Sequence, residues 1–172
     1  MMRRLISIVL IGVSLAFFFH IILAQDGNGK PSEPPRQPMP FSHKKHAETG
    51  LRCSRCHTMA ETEEQAGIPT ASDCLQCHRK FQSDGALMRT LAELEKSGKT
   101  ITWIRIYDLP DFVFFSHQTH LKARIECQTC HGPVESREAL WREKEVSMKA
   151  CVACHKEKGA SVACNYCHEL NR

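Results

Sequence analysis

The sequence predicts a mostly α-helical and irregular protein with few short strands, organised around bound cofactors and not around a side-chain core. Three observations carry that expectation. All ten cysteines fall in five copies of one pattern, Cys-x-x-Cys-His. Phe, Trp and Tyr make up only 7% of the 172 residues and mean hydropathy is negative, so ordinary side chains offer little for a core. Small domains in that position rely on metals, disulfides or cofactors. The longest apolar run is confined to the first 25 residues, ahead of every cysteine.

The five copies are Cys53-Ser-Arg-Cys56-His57, Cys74-Leu-Gln-Cys77-His78, Cys127-Gln-Thr-Cys130-His131, Cys151-Val-Ala-Cys154-His155 and Cys164-Asn-Tyr-Cys167-His168, here motifs I to V. The pattern is that of c-type haem attachment. Two thiols spaced by two residues can each add to one vinyl group of a haem, and the histidine that follows is held under the iron as proximal ligand. Two Cys-x-x-Cys units can also build a four-thiolate zinc site, and a single one can be a dithiol redox pair or a disulfide. Neither explains a histidine directly after every pair, and no cysteine is left over as a nucleophile. Five covalent haem c groups are therefore expected, with attachment coupled to folding.

Residues 1–25 open with Arg3 and Arg4 and then run apolar from Leu5 to Ala24, broken by Ser7, Ser14 and His20. This is either an export signal cleaved near Ala24 or an uncleaved N-terminal membrane anchor. In both cases the rest of the chain lies outside the cytoplasm, where c-type haem is attached. His20 inside the run invites a membrane-ligand role, although a lone histidine there is more often incidental. Residues 26–40 hold five prolines and two glycines and are expected to form an extended linker. The haem domain is then 41–172.

The formal net charge of +4 suggests no nucleic-acid partner, because Arg3 and Arg4 supply half of it and haem propionates would offset the rest. The remaining lysines, with short clusters at Lys44-Lys45 and Lys156–Lys158, suit a solvated surface or a redox-partner patch.

An internal repeat organises the domain. Phe41-Ser-His43-Lys-Lys-His46 matches Phe115-Ser-His117-Gln-Thr-His120 at an offset of 74 residues, and in both a haem motif starts ten residues after the first histidine. A second haem motif follows each. The domain divides into two di-haem repeats, 41–78 and 115–155, and a terminal motif at 164–168. A six-coordinate haem needs a ligand on its far face, and two histidines on one helical turn can serve two neighbouring haems. His43, His46, His117 and His120 are thus the expected distal ligands. They number four, against five irons. For the fifth, Met148, three residues before Cys151, is the favoured ligand; Met59, Met39 and Met88 compete, and a methionine is often only a gap-filler. Met/His ligation would give that haem the highest potential.

Among the connections, Ser83-Asp84 is expected to cap a helix from Gly85 to Ser97, ended by Gly98, with Leu87, Leu91 and Leu94 on one face. Ile101–Tyr107 alternates as a strand broken at Pro110. Glu135–Lys149 reads as a helix carrying Leu140, Trp141 and Met148. Arg105 is either a propionate partner or an exposed charge.

The Phe-Ser-His-x-x-His plus Cys-x-x-Cys-His unit resembles that of multihaem cytochromes c of the cytochrome c3/c7 type, the haem-cored class III arrangement. Further stretches are similar to the pentahaem subunit of alternative complex III and its relative in the quinone reductase complex: Ala66–Thr70, Ile101–His120, Cys130-His131-Gly132 and Met148–Cys151. The likeness covers about residues 39–172 and includes positions that bind no haem. It implies an N-terminal anchor, a place on the periplasmic side of the inner membrane, and electron transfer in a respiratory complex with iron–sulfur or quinone-site subunits. It also supports a ligand role for Met148. An electron-transfer subunit without chemistry of its own is expected, in preference to a free periplasmic shuttle of the c7 kind. A third alternative, a reductase of small oxyanions with one open haem, rests on the missing fifth histidine.

Overall fold

A computed structural model describes residues 33–81 and 85–168. The first 32 residues lie outside it, and with them the signal or anchor, His20 and the first part of the linker. Six α-helices are present among the described residues: α1 (His43–Glu48), α2 (Ala71–His78), α3 (Gly85–Ser97), α4 (His117–Lys122), α5 (Cys127–His131) and α6 (Met148–Lys158). Short 3-10 turns sit at Cys53–Arg55, Val134–Ser136 and Cys164–Tyr166. Each cysteine motif therefore lies in α2, α5, α6 or a 3-10 turn.

The helices start where the sequence offers a cap. Ser42 and Ser116 adopt the same extended backbone, φ −125° in both, and their hydroxyls accept from Lys45 N and Thr119 N. That satisfies one orphan amide of a two-turn helix. α2 begins with a capping box in which Thr70 and Asp73 bond reciprocally. α6 begins at Ser147 and ends at Gly159, whose φ of +68° is the left-handed conformation glycine accepts most readily.

Only one side-chain core forms among the described residues. Ala71 and Leu75 of α2 meet Leu91 of α3, and Leu75 and Leu91 are each 1% exposed. Met39, Leu87, Met88, Leu94 and Ile101 pack around them. Ser72 of α2 and Arg79, which caps its C-terminal end, reach Glu95 of α3 and tie the same two helices together at the surface. α3 has the bounds expected of it, and its leucine face packs on the helix of motif II. The Ser83-Asp84 cap lies outside the described residues.

Two expected elements are absent. Ile101–Tyr107 forms no strand: Trp103 N donates back to Ile101 O at 2.9 Å, the chain bends at Ile106 and Tyr107, and no second strand runs beside it. Its ladder is instead a side chain: the Gln37 amide donates to Ile104 O at 3.0 Å and accepts from Ile104 N at 2.9 Å. The last part of the linker is thus docked, with Gln37 clamped and Met39 on the core. No strand forms anywhere among the described residues; a single antiparallel bridge pairs Val113 with His168. The expected helix over Glu135–Lys149 is also replaced. Residues 134–136 make a 3-10 turn, 137–147 are irregular, and the helix starts at Met148. The amides of Glu143 and Lys144 donate to the Tyr107 hydroxyl, and Arg137 forms a bidentate pair with Glu143. Those long-range partners compete with helical bonds and win.

Leu91→Ala should lower stability by about 2–5 kcal/mol, since it opens a cavity in the one packed core; guanidinium unfolding of the haem-loaded protein followed by far-UV circular dichroism measures it. The bonds from Thr70 hold the Asp73 carboxyl below its ordinary range. A folded-state value below the unfolded one contributes stability above the ordinary pKa, lost as pH falls through the lower value. Thr70→Ala should accordingly move the acid-unfolding midpoint to higher pH, by a small amount because Asp73 is exposed.

Candidate haem sites and their axial histidines

The two copies of Phe-Ser-His-x-x-His fold alike to fine detail. Phe41 stacks on His46 at 4.6 Å and meets His43 edge-on at 4.8 Å; Phe115 does the same to His120 at 4.6 Å and His117 at 4.8 Å. His46 Nδ1–H donates to Ser42 O at 2.7 Å, and His120 Nδ1–H to Ser116 O at 2.8 Å. With Nδ1 committed as donor, Nε2 is the nitrogen left free for a metal. The phenylalanines belong to the repeat visible in the sequence, but their role as walls for both imidazoles emerges only in the fold.

α4 brings its two histidines to two different cysteine motifs, and α1 brings His46 to a third. The His46 ring centroid lies 6.1 Å from that of His78, His117 lies 6.3 Å from His131, and His120 lies 6.0 Å from His155. Two imidazoles on opposite sides of one metal, each bonded at about 2 Å, have centroids roughly 6 Å apart. The spacing is that of an axial pair with one metal ion between the rings. Burial, then the fields of His57 and His46, push the His43 pKa down to about 4. His131 is lowered likewise, first by burial and then by His117 and His57.

The proximal side is held in the same way. His57 donates Nδ1–H to Gly67 O and His155 to Ser161 O, both at 2.7 Å, and His168 to Phe112 O at 3.4 Å. Tyr107 meets His131 edge-on at 4.7 Å. None of the acceptor carbonyls, nor Tyr107, is marked by any sequence signal, because a carbonyl acceptor carries no residue identity.

The motifs are brought together in series. Arg55 of motif I donates to Gln76 of motif II at 3.0 Å, and Cys56 lies within the field of Cys77 and Cys74. The Cys53 and Cys127 side chains meet, joining motif I to motif III. Cys130 lies within the field of Cys154 and Cys151, and Cys151 within that of Cys167. Motif V is also tied to the segment leading into α4, since Phe114 N donates to Cys167 O at 2.9 Å.

All ten cysteines are unpaired, so no disulfide framework exists. Burial pushes the thiols of Cys56, Cys74, Cys127, Cys130 and Cys151 up. A dithiol redox catalyst requires the opposite shift. Among the described residues no group of three or more His, Cys, Asp or Glu converges as a zinc site would. What the protein does offer is apolar surface around the motifs: Phe112, Tyr166 and Met148 are more than 60% exposed, with Phe114 and Val162 also open. Paired imidazoles, attachment thiols and uncovered apolar side chains are together the donor set and cradle that c-type haem requires.

Methionines separate by position. Met39 and Met88 pack on the α2–α3 core beside motif II, and Met59 lies over Gly67 in the loop after motif I. Met148 is 68% exposed at the start of α6, one turn before Cys151 and so on its face of the helix. Arg105 is exposed and pairs with Asp108 at 3.5 Å. No described helix is long and apolar enough to cross a membrane.

Residues 113–169 match the family model of cytochrome c7 and related cytochrome c, and residues 45–101 match that of cytochrome c3. The two matches fall on the two repeats. The chain is 32% identical over 161 residues, covering 77% of each chain, to the menaquinone reductase multihaem cytochrome c subunit of Nitratidesulfovibrio vulgaris strain Hildenborough. Motifs, axial geometry and both matches agree: the chain belongs to the multihaem c-type cytochromes of the cytochrome c3/c7 family, electron-transfer proteins that carry covalently bound haem c.

Proposed function

We propose that this chain is a pentahaem electron-transfer subunit of a membrane quinone-linked respiratory complex, held on the periplasmic side of the inner membrane by its N-terminal segment. Haem attaches at Cys53/Cys56, Cys74/Cys77, Cys127/Cys130, Cys151/Cys154 and Cys164/Cys167. The proximal ligands are His57, His78, His131, His155 and His168. Their distal partners are His43, His46, His117, His120 and, for motif V, Met148. The observation that carries this reading is the set of three imidazole pairs at 6.0–6.3 Å, with thioether-forming thiols beside each.

Bound haem supplies a one-electron ferric/ferrous couple. The chain's own residues do the rest. The Nδ1–H···O=C bonds fix the tautomer and raise ligand basicity. Phe41 and Phe115 wall the imidazoles and exclude water. The contacts between motifs support one file, in the order II–I–III–IV–V, through which electrons hop without a substrate site. The relative's name, a subunit of a menaquinone reductase, supports membership of a complex, and the proposed partners are its quinone-site or iron–sulfur subunits. A free periplasmic shuttle would instead require a cleaved N-terminus and transient docking.

Native mass spectrometry of the protein purified from membranes should find five haems, retained residues 1–24 and co-purifying subunits; a cleaved, solitary protein would favour the shuttle. Met148→Ala should convert one haem from low-spin to high-spin in the ferric optical spectrum and leave the other four low-spin. An unchanged spectrum removes Met148 as ligand, and a high-spin haem already present in the wild type would favour a reductase with an open iron.

A further inference from the structure

The axial pairs are not equivalent. The rings of His46 and His78 are inclined by 49° and those of His120 and His155 by 41°, whereas His117 and His131 are inclined by only 7°. His117 is fixed by donating Nδ1–H to Glu64 O at 2.9 Å. His131 is different from His57, His155 and His168: its ring has no carbonyl acceptor among the described residues. What touches that ring is Tyr107, edge-on at 4.7 Å and 85°.

Tyr107 is itself locked. Its hydroxyl accepts from Glu143 N at 3.0 Å and Lys144 N at 3.1 Å and donates to His131 O at 3.4 Å. The Arg142 guanidinium lies 5.9 Å over its ring. The segment it anchors is pressed onto motif III: a Cβ at Gly132 (φ +73°) would stand 3.3 Å from Glu143 Cβ. The hydroxyl end of the phenol ring is thereby held in place, and its edge restricts the imidazole packed against it.

We propose that Tyr107 is a positioning residue that sets the rotation of the His131 imidazole and holds it parallel to His117, making the haem of motif III electronically distinct from those of motifs II and IV. The inference rests on His117 and His131 being an axial pair. Parallel imidazoles donate into the same iron dπ orbital, so ferric spin density concentrates on one pair of opposite pyrroles. Twisting the planes apart makes the two dπ orbitals more alike. Ring orientation is thus a lever on the electronic state of a haem that involves no change of ligand.

The test uses the full-length, haem-loaded protein. NMR of the ferric wild type should show a bis-histidine haem whose methyl shifts are widely spread, and Tyr107→Leu should narrow that spread for this one haem. The matching frozen-solution EPR component should move to a larger maximum g value. The number of low-spin haems should stay the same, and Tyr107→Phe, which keeps the ring edge but loses the three hydroxyl bonds that hold it, should narrow the spread less than Tyr107→Leu does. An unchanged methyl pattern in Tyr107→Leu overturns the proposal, as does loss of a low-spin haem, which would make the residue necessary for ligation itself. If Tyr107→Leu does not load haem, the wild type decides: absence of any widely spread bis-histidine haem is equally fatal. His117→Ala separates the two levels, because it tests the axial pair alone by loss of one low-spin haem.

Discussion

The constraint on which the structure depends is the distance between two imidazoles. In the proposed arrangement a metal must find a ring on each side, roughly 6 Å centroid to centroid, and the chain has almost no side-chain core with which to enforce it. Short capped helices and main-chain carbonyls do the work. Ser42 and Ser116 each act twice: the hydroxyl caps the helix through an amide, and the carbonyl receives the Nδ1–H of the histidine four residues on. One residue thereby fixes where the helix starts and which nitrogen faces the metal. A six-residue helix would be marginal in isolation, so each is stable only as part of what it is docked on.

That docking is reciprocal between the repeats. α1, which carries the distal histidines proposed for motifs I and II, packs on the 3-10 turn after motif III and is bonded to it through Lys44 N and Arg137 O. α4, which carries those for motifs III and IV, is bonded to the loop after motif I: His117 N to Glu64 O and Gln118 N to Glu63 O. Each half therefore supplies the floor for the other half's ligand helix. Neither repeat can complete its sites alone, although each matches a family model separately. A duplicated di-haem unit becomes a single body by exchanging supports.

The parts legible in the sequence were those with covalent or metal chemistry behind them. Cys-x-x-Cys-His is fixed by the spacing of two vinyl groups, and the 74-residue repeat exposes His43, His46, His117 and His120 without reference to any fold. α3 was legible because Leu87, Leu91 and Leu94 keep a helical period. The failures have a common cause. Ile101–Tyr107 has strand-like alternation but is satisfied by the Gln37 side chain, and Glu135–Lys149 has helical composition but spends its amides and charges on Tyr107 and Arg137. Local propensity was overruled by partners distant in sequence. The pairing of distal to proximal histidines was hidden for the same reason, since a helix that serves two motifs does not announce which.

The two ends of the proposed file are chemically unlike, and this gives the series a polarity that a chain of identical sites would lack. At motif II, α3 adds the protein's packed core, and His46 supplies a ring on the far side of His78. At motif V no histidine among the described residues faces His168, its Nδ1–H bond to Phe112 O is long at 3.4 Å, and Phe112, Tyr166 and Met148 stand open. A weak Nδ1–H bond leaves a ligand less basic, and thioether in place of imidazole stabilises the ferrous state; both raise the potential at the same end. Motif IV, next in the file, is the reverse case, with short Nδ1–H bonds on both His120 and His155. In the proposed arrangement the steepest step in potential falls between two adjacent haems, IV and V, where it would hold an electron at the terminal site until a partner removes it.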